Sequence, residues 1–265
     1  MKRSLWGACL CVGAVFGADA APAASLDLSG LTNGTILSTQ NFSDGINGVE
    51  ITAQRRTGGK QLRPGVAALF DSAVEFAKGK ASRDKDLAKS PTGQLSASQI
   101  VGPGISSPVN TGTPTADIII IQENPCGALC IPDDNARGGT LTFDFTGYQK
   151  GVQIKKLAIF DFNGFTGKQA VDDIVLTRKN GLTEVVQLED YITGGLQHKA
   201  ALLDFDAMLG GNPTDVVSLT FNTRTSGGIG MLEFAPVPLP AAFPLLAFGI
   251  GALVVVGRRR KKVAA

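Results

Sequence analysis

Leu141-Thr142-Phe143-Asp144-Phe145-Thr146 alternates apolar and polar side chains without a break. Successive side chains on a strand point to opposite faces, so Leu141, Phe143 and Phe145 read as facing a core and Thr142, Asp144 and Thr146 as facing outward. Downstream, Val152, Ile154, Leu157, Ile159 and Phe162 continue the alternation, with phase slips near Lys155 and Asp161 that predict bulges. Upstream, Pro132-Asp133-Asp134-Asn135-Ala136-Arg137-Gly138-Gly139 reads as a turn. Before it, the unbroken Ile118-Ile119-Ile120-Ile121 run within Asp117 to Gln122 predicts a strand buried on both faces.

The same signals recur outward from this centre. Ile174 to Thr177 and Val185 to Leu188 flank Lys179-Asn180-Gly181-Leu182, a hairpin whose Asn-Gly suits a type I′ turn. Val217, Leu219 and Phe221 alternate, Met231 to Phe234 reads as the closing strand, and Leu196 to Leu209 suits a short helix over one end. On the N-terminal side, Ser25 to Leu28, Val49 to Ala53 and Gly65 to Phe70 are short strands. Asn33-Gly34 and Asn47-Gly48 mark turns, and Gln54 to Lys60 a polar loop. Ala73 to Thr115 reads as one long loop, with a helical turn or two at Val74 to Lys80. About ten short strands at this spacing predict an all-β fold, an antiparallel β-sandwich of jelly-roll type, with no internal repeat and no second domain.

Composition agrees: 33 glycines and 6% aromatics suit short strands and turns better than long helices. The formal charge of +2 is carried by the chain ends. Without Lys2, Arg3, Asp19 and five basic residues near the C-terminus, 18 basic and 22 acidic residues remain, a net of −4. Such a body lacks the electrostatic footprint that nucleic acid requires.

The ends read as targeting segments. Lys2 and Arg3 form a charged n-region, Leu5 to Phe16 an apolar h-region, and Ala18-Asp19-Ala20 a small-x-small cleavage site, with residues 1–24 assigned to a signal peptide. Cleavage falls after Ala20 or within Ala21-Pro22-Ala23-Ala24. At the other end, residues 236–265 hold Val237-Pro238-Leu239-Pro240-Ala241, an uncharged apolar run to Gly257, and Arg258-Arg259-Arg260-Lys261-Lys262. At about 1.5 Å per residue, the roughly 20 residues from Val237 to Gly257 span about 30 Å as a helix, one bilayer core. The basic cluster then predicts a cytoplasmic C-terminus, and residues 25–235 become the ectodomain.

This order of proline motif, transmembrane helix and basic cluster resembles the PEP-CTERM class of bacterial sorting signals, and Val237 to Ala241 matches its VPLPA variant. The resemblance covers about a tenth of the chain. It implies recognition by an exosortase, a membrane-embedded cysteine peptidase that processes such tails, and delivery to the cell surface or extracellular matrix. A plain C-terminal membrane anchor explains the helix and the bases but not the VPLPA box. The stretches Ala68-Leu69-Phe70-Asp71-Ser72, Asp84-Lys85-Asp86-Leu87, Ile118 to Asn124 and Pro132 to Phe145 resemble a recurring PEP-CTERM ectodomain. That likeness implies a fold and a location in the envelope, and no chemistry.

Candidate site residues are few. Cys9 and Cys11 belong to the h-region, which leaves Cys126 and Cys130. In an exported chain this Cys-x-x-x-Cys pair reads as a disulfide pinning one loop, since no second pair completes a zinc site. His198 is the only histidine, and no Gly-x-Ser-x-Gly elbow accompanies it, so no catalytic motif is present. Asp71, Asp84, Asp86, Glu123, Asp133 and Asp134 fall in loops near strand ends, where calcium finds its oxygens. Surface ion pairs with Lys80, Arg83, Lys85, Lys89 and Arg137 are the plainer reading of the same residues. With Trp6 lost to the signal peptide, stacking on a sugar would fall to Tyr148, Tyr191 or Phe165. The sequence therefore reads as an exported structural, adhesive or glycan-binding protein of the cell surface, with surface polysaccharide as a partner. A secreted polysaccharide hydrolase is the alternative, because a carboxylate pair is set by the fold and not by a motif.

Overall fold

The strand expected at Leu141 forms as β7 (Gly139–Asp144), between β2 (Glu50–Arg56) and β12 (Val216–Thr223). Phe143 lies opposite Ile51 on one neighbour and Leu219 on the other, and all three are buried. On the opposite face Thr142 pairs with Thr52 and Thr220, its hydroxyl 3.2 Å from that of Thr220. Cross-strand pairs of this kind are the unit of sheet stability. The structure is a computed structural model that describes residues 23–37, 46, 48–57, 61–79, 83–107, 116–124, 129–162, 173–194, 196 and 198–237. Its strands and helices all belong to one compact unit, Ala21–Val237.

All pairing is antiparallel, and the strands form one large hydrogen-bonded sheet. In one half, β3 (Leu62–Gly65) flanks β2, while β9 (Asp173–Arg178) flanks β12 and carries β10 (Thr183–Gln187). The other half centres on β8 (Val152–Phe160), between β11 (Ala200–Asp204) and β13 (Gly228–Pro236). Beyond β11 lies β5 (Ile105–Ser106). On the far side of β13 lie β1 (Ala24–Ser25) and β6 (Asp117–Ile121), and then β4 (Ala67–Asp71). Hydrogen-bonded pairing passes from one half to the other through Val216 and Val152. Rings pack across the same junction: Phe145 and Phe234 at 5.3 Å between centroids, and Phe162 and Phe221 at 4.8 Å.

Ile119 and Ile121 face this main core, whereas Ile118 and Ile120 face a second apolar cluster with Phe70, Leu87 and Phe160. The run is thus buried on both faces, as its pattern predicts. The expected slip near Lys155 is a bulge: Glu233 pairs with Lys156 and Phe234 with Ile154, which leaves Lys155 unopposed.

Several local expectations change, the first being the strand expected at Ser25 to Leu28, which is cut to β1 and ends at Ser25. The loop expected at Gln54 to Lys60 begins later, because β2 runs to Arg56 and pairs with β3. Pro64 hid β3 from the pattern, yet as an outer strand it loses no ladder bond to the missing N–H. The long loop of 73–115 carries α1 (Ser72–Lys78), α2 (Lys85–Lys89), two 3-10 turns and β5. Leu87 and Ala88 bury against the second cluster, contacts that local periodicity does not reveal. The Asn180-Gly181 turn is not type I′, since only Gly181 has positive φ. Gly181 N–H donates to Arg178 O, a type I turn followed by a left-handed glycine. Val217 is the extra residue of a bulge, so Val216 faces inward instead. Leu196 to Leu209 holds β11 before its short helix, α3 (Phe205–Leu209).

Among the described residues no helix is long and apolar enough to cross a membrane. The expected signal peptide and the expected span to Gly257 lie, apart from Ala23, Ala24 and Val237, outside the described residues. A direct test of the core is Phe143→Ala, which should cost about 3–5 kcal/mol of unfolding free energy in urea titration. Thr142→Ala on the opposite face should cost less than about 1 kcal/mol. Equal effects of the two changes would overturn the inside-outside assignment of β7.

Candidate functional site

Of the six carboxylates expected around calcium, Asp84 lies beside Asp134, and Glu123 and Asp84 lie near Asp133, while each also has a local partner. Asp71 caps α1, accepting from the N–H groups of Ala73 and Val74. Asp84 caps α2 through the N–H of Leu87 at 2.9 Å. Asp86, in the first turn of α2, lies 3.5 Å from Nδ1 of His198. Asp133 faces the Arg83 guanidinium at 3.6 Å, and the backbone carbonyl of Glu123 accepts from Arg55. Asp134 accepts from the N–H of Gly227 at 2.5 Å. Among the described residues no group of three or more His, Cys, Asp or Glu side chains is arranged to hold a metal. Within residues 83–92, helix α2 is held by the Asp84 cap and by the burial of Leu87 and Ala88.

The structure does gather three buried acids. Asp134 hydrogen-bonds the Asp84 side chain, and burial with that contact pushes its carboxyl well above the usual range. Asp161 is almost fully buried, and its carboxyl is raised to about 6, chiefly by burial. The N–H of His198 donates to Asp161 Oδ1 at 2.6 Å, while Asp161 N–H donates to the Lys199 carbonyl. Both residues take the left-handed region, Asp161 at φ 58° and His198 at φ 56°. Such strain costs energy in side chains other than glycine and clusters at sites under constraint. Gly93 packs so closely on the His198 carbonyl that a Cβ would overlap it. The sequence marked Asp161 as a phase slip only, since nothing local predicts a contact 37 residues away.

A second feature is a cleft of about 550 Å³ on the outer face of the β8 half. It opens because two strands share one edge of β13 and then leave it. β6 pairs with Gly228 and Ile229, while β1 pairs with Glu233 and Phe234. Between them, Gly230 and Met231 form a bulge against β8. Ala158, Phe160, Leu202 and Gly230 line the gap, and Phe160 lies so close to Gly230 that a Cβ there would collide with its ring. Asp27 and Asp117 also line it.

The remaining candidates are placed as follows. Tyr148 packs its ring on Phe234, and Tyr191 donates its hydroxyl to the Met208 carbonyl, so both serve packing. Cys130 is disulfide-bonded. Cys126, Phe165, Pro238 to Ala241 and Arg258 to Lys262 lie outside the described residues. Val237 N–H donates to the Gly151 carbonyl at 3.2 Å.

The buried acids set a pH dependence. A carboxyl with a raised folded pKa holds more protons in the folded chain than in the unfolded one, so stability falls as pH rises. For Asp161 the loss runs from the ordinary value of 3.8 to about 6, on the order of 2–3 kcal/mol. The raised carboxyls of Asp117, Asp133 and Asp134 act in the same direction. The thermal midpoint should therefore rise as pH falls from 7 to 4.5, and Asp161→Asn should flatten much of that slope. An identical slope in the variant would remove Asp161 from the account.

No family model, curated protein or solved structure matches this chain.

Proposed function

We propose that this chain is an exported protein of the bacterial cell surface or extracellular matrix, sorted by an exosortase-type membrane peptidase. Its role there is structural, adhesive or glycan-binding. In this reading residues 1–24 are the signal peptide, 25–235 the ectodomain, and 236–265 a VPLPA-type sorting tail held in the membrane until processing. The observation that carries it is the tail: Val237 to Ala241, then an uncharged run, then Arg258 to Lys262. Its placement supports the same reading, since β13 ends at Pro236 and the motif starts at the next residue.

The ectodomain is read as a jelly-roll-like sandwich. Supporting this are two halves whose strand ladders meet at one pair, Val216 and Val152, and rings from both halves that pack together. The hydrolase alternative needs carboxylates in an open cleft with room for a water or a sugar. Asp84, Asp134 and Asp161 are buried, and none of them lines the described cleft. The described cleft does carry two carboxylates of its own, Asp27 and Asp117.

Intact-mass measurement on protein from its native host tests the sorting step. The mature chain should lack Arg258 to Lys262 and should be found outside the inner membrane. Changing Pro238 and Pro240 to Ala should block processing and leave insertion intact, because the apolar run is unchanged. A native mass that retains the basic cluster would replace sorting with a plain anchor.

A further inference from the structure

The cleft between β1, β6 and β13 has an apolar body and an acidic lip, and nothing in the fold itself uses that combination. Its volume of about 550 Å³ falls in the range of small-molecule sites. The body is built from Ala158, Phe160 and Leu202, with Leu26 and Leu28 of the main core bordering it, and the gap stays open because Gly230 contributes no side chain. At the lip, Asp27 and Asp117 line the cleft, and Asp71 stands directly opposite Asp117 across the β4–β6 pair. Like charges at directly opposed positions of a sheet destabilise it. Among the described residues no basic side chain lines the cleft, and no ion pair involves Asp27, Asp71 or Asp117.

An apolar cleft alone would accept any hydrophobic body. Here the charge selects the occupant. From the apolar lining and the unneutralised carboxylates we infer that the cleft binds a small organic cation, an ammonium group carried on an apolar body. The ammonium sits between Asp27 and Asp117 and relieves the repulsion between Asp117 and Asp71, while the apolar body lies along Phe160, Leu202 and Ala158. Burial and the charges of Asp71 and Asp27 raise the Asp117 carboxyl, which accords with a cation beside it. Anions of similar shape meet the same carboxylates and are repelled. The inference rests on the described cleft alone and stands whether or not the tail is processed.

Three probes with one apolar body separate the contributions: n-hexylammonium, n-hexanol and n-hexanoate, titrated calorimetrically into the full chain near neutral pH. The cation should bind saturably and about tenfold more tightly than the alcohol, as a charge-assisted hydrogen bond in a partly enclosed site provides. The anion should bind more weakly than the alcohol. Asp117→Asn should bring the cation down to the affinity of the alcohol without weakening the alcohol. Since it removes a like-charge pair, that variant should keep or raise the thermal midpoint. Met231→Trp, which fills the cleft from its exposed side, should abolish all three. Equal affinity for cation and alcohol, no saturable cation binding, or a cation preference that survives both Asp117→Asn and Asp27→Asn would overturn the inference.

Discussion

The two halves of this sheet share one ladder pair and a few loop hydrogen bonds, such as Asn135 N–H to the Ile121 carbonyl, so their contact depends mainly on side-chain packing across the junction. Pairing passes between them at Val216 and Val152, whereas Phe145 meets Phe234 and Phe162 meets Phe221 across the junction. Buried aromatic rings carry a large transfer free energy and a preferred tilt, which fixes how the halves face each other. The bulges at Lys155 and Val217 let strands of both halves bend while keeping Ile154, Leu157 and Val216 turned inward. The alternation in Leu141 to Phe145 is the local form of the same constraint.

With one face of β4, β6 and β8 committed to that core, their other face needs its own cover. Leu87 and Ala88 of α2 provide it on one side, and Asp84 fixes α2 there through its cap and its contact with Asp134. The cleft occupies the neighbouring part of the same face, where β1 and β6 part above buried Ala158 and Phe160 and half-buried Leu202. The pH response and the cleft thus share one origin. A sheet apolar on both faces has been covered with short polar segments, and some carboxylates have been carried inward with them. A domain covered in this way gains stability in mild acid.

The sequence made legible what depends on neighbours in the chain. Alternation located β7, β8 and β12, the isoleucine run announced burial on both faces, and the phase slip at Lys155 marked a true bulge. What depends on distant partners stayed hidden. Pro64 reads as a loop residue until β2 is seen beside it. Helix α2 buries only Leu87 and Ala88 against strands far away in the chain, so its short segment shows no helical period of its own. Asp161 and His198 carry no motif, and their left-handed backbone is invisible in the letters. The cleft arises from two strands leaving one edge, a property of pairing alone. Conversely, the proposed sorting tail rests on sequence order alone, since beyond Val237 it lies outside the described residues.

Native-state hydrogen exchange tests the central claim, that aromatic packing makes the two halves one cooperative unit. Amides of β7 and β12 in one half and of β8 and β13 in the other should open with the same free energy. Phe162→Leu should lower that value by the same amount in both halves. Different opening free energies in the wild type, or a loss confined to the half that carries the substitution, would contradict the account.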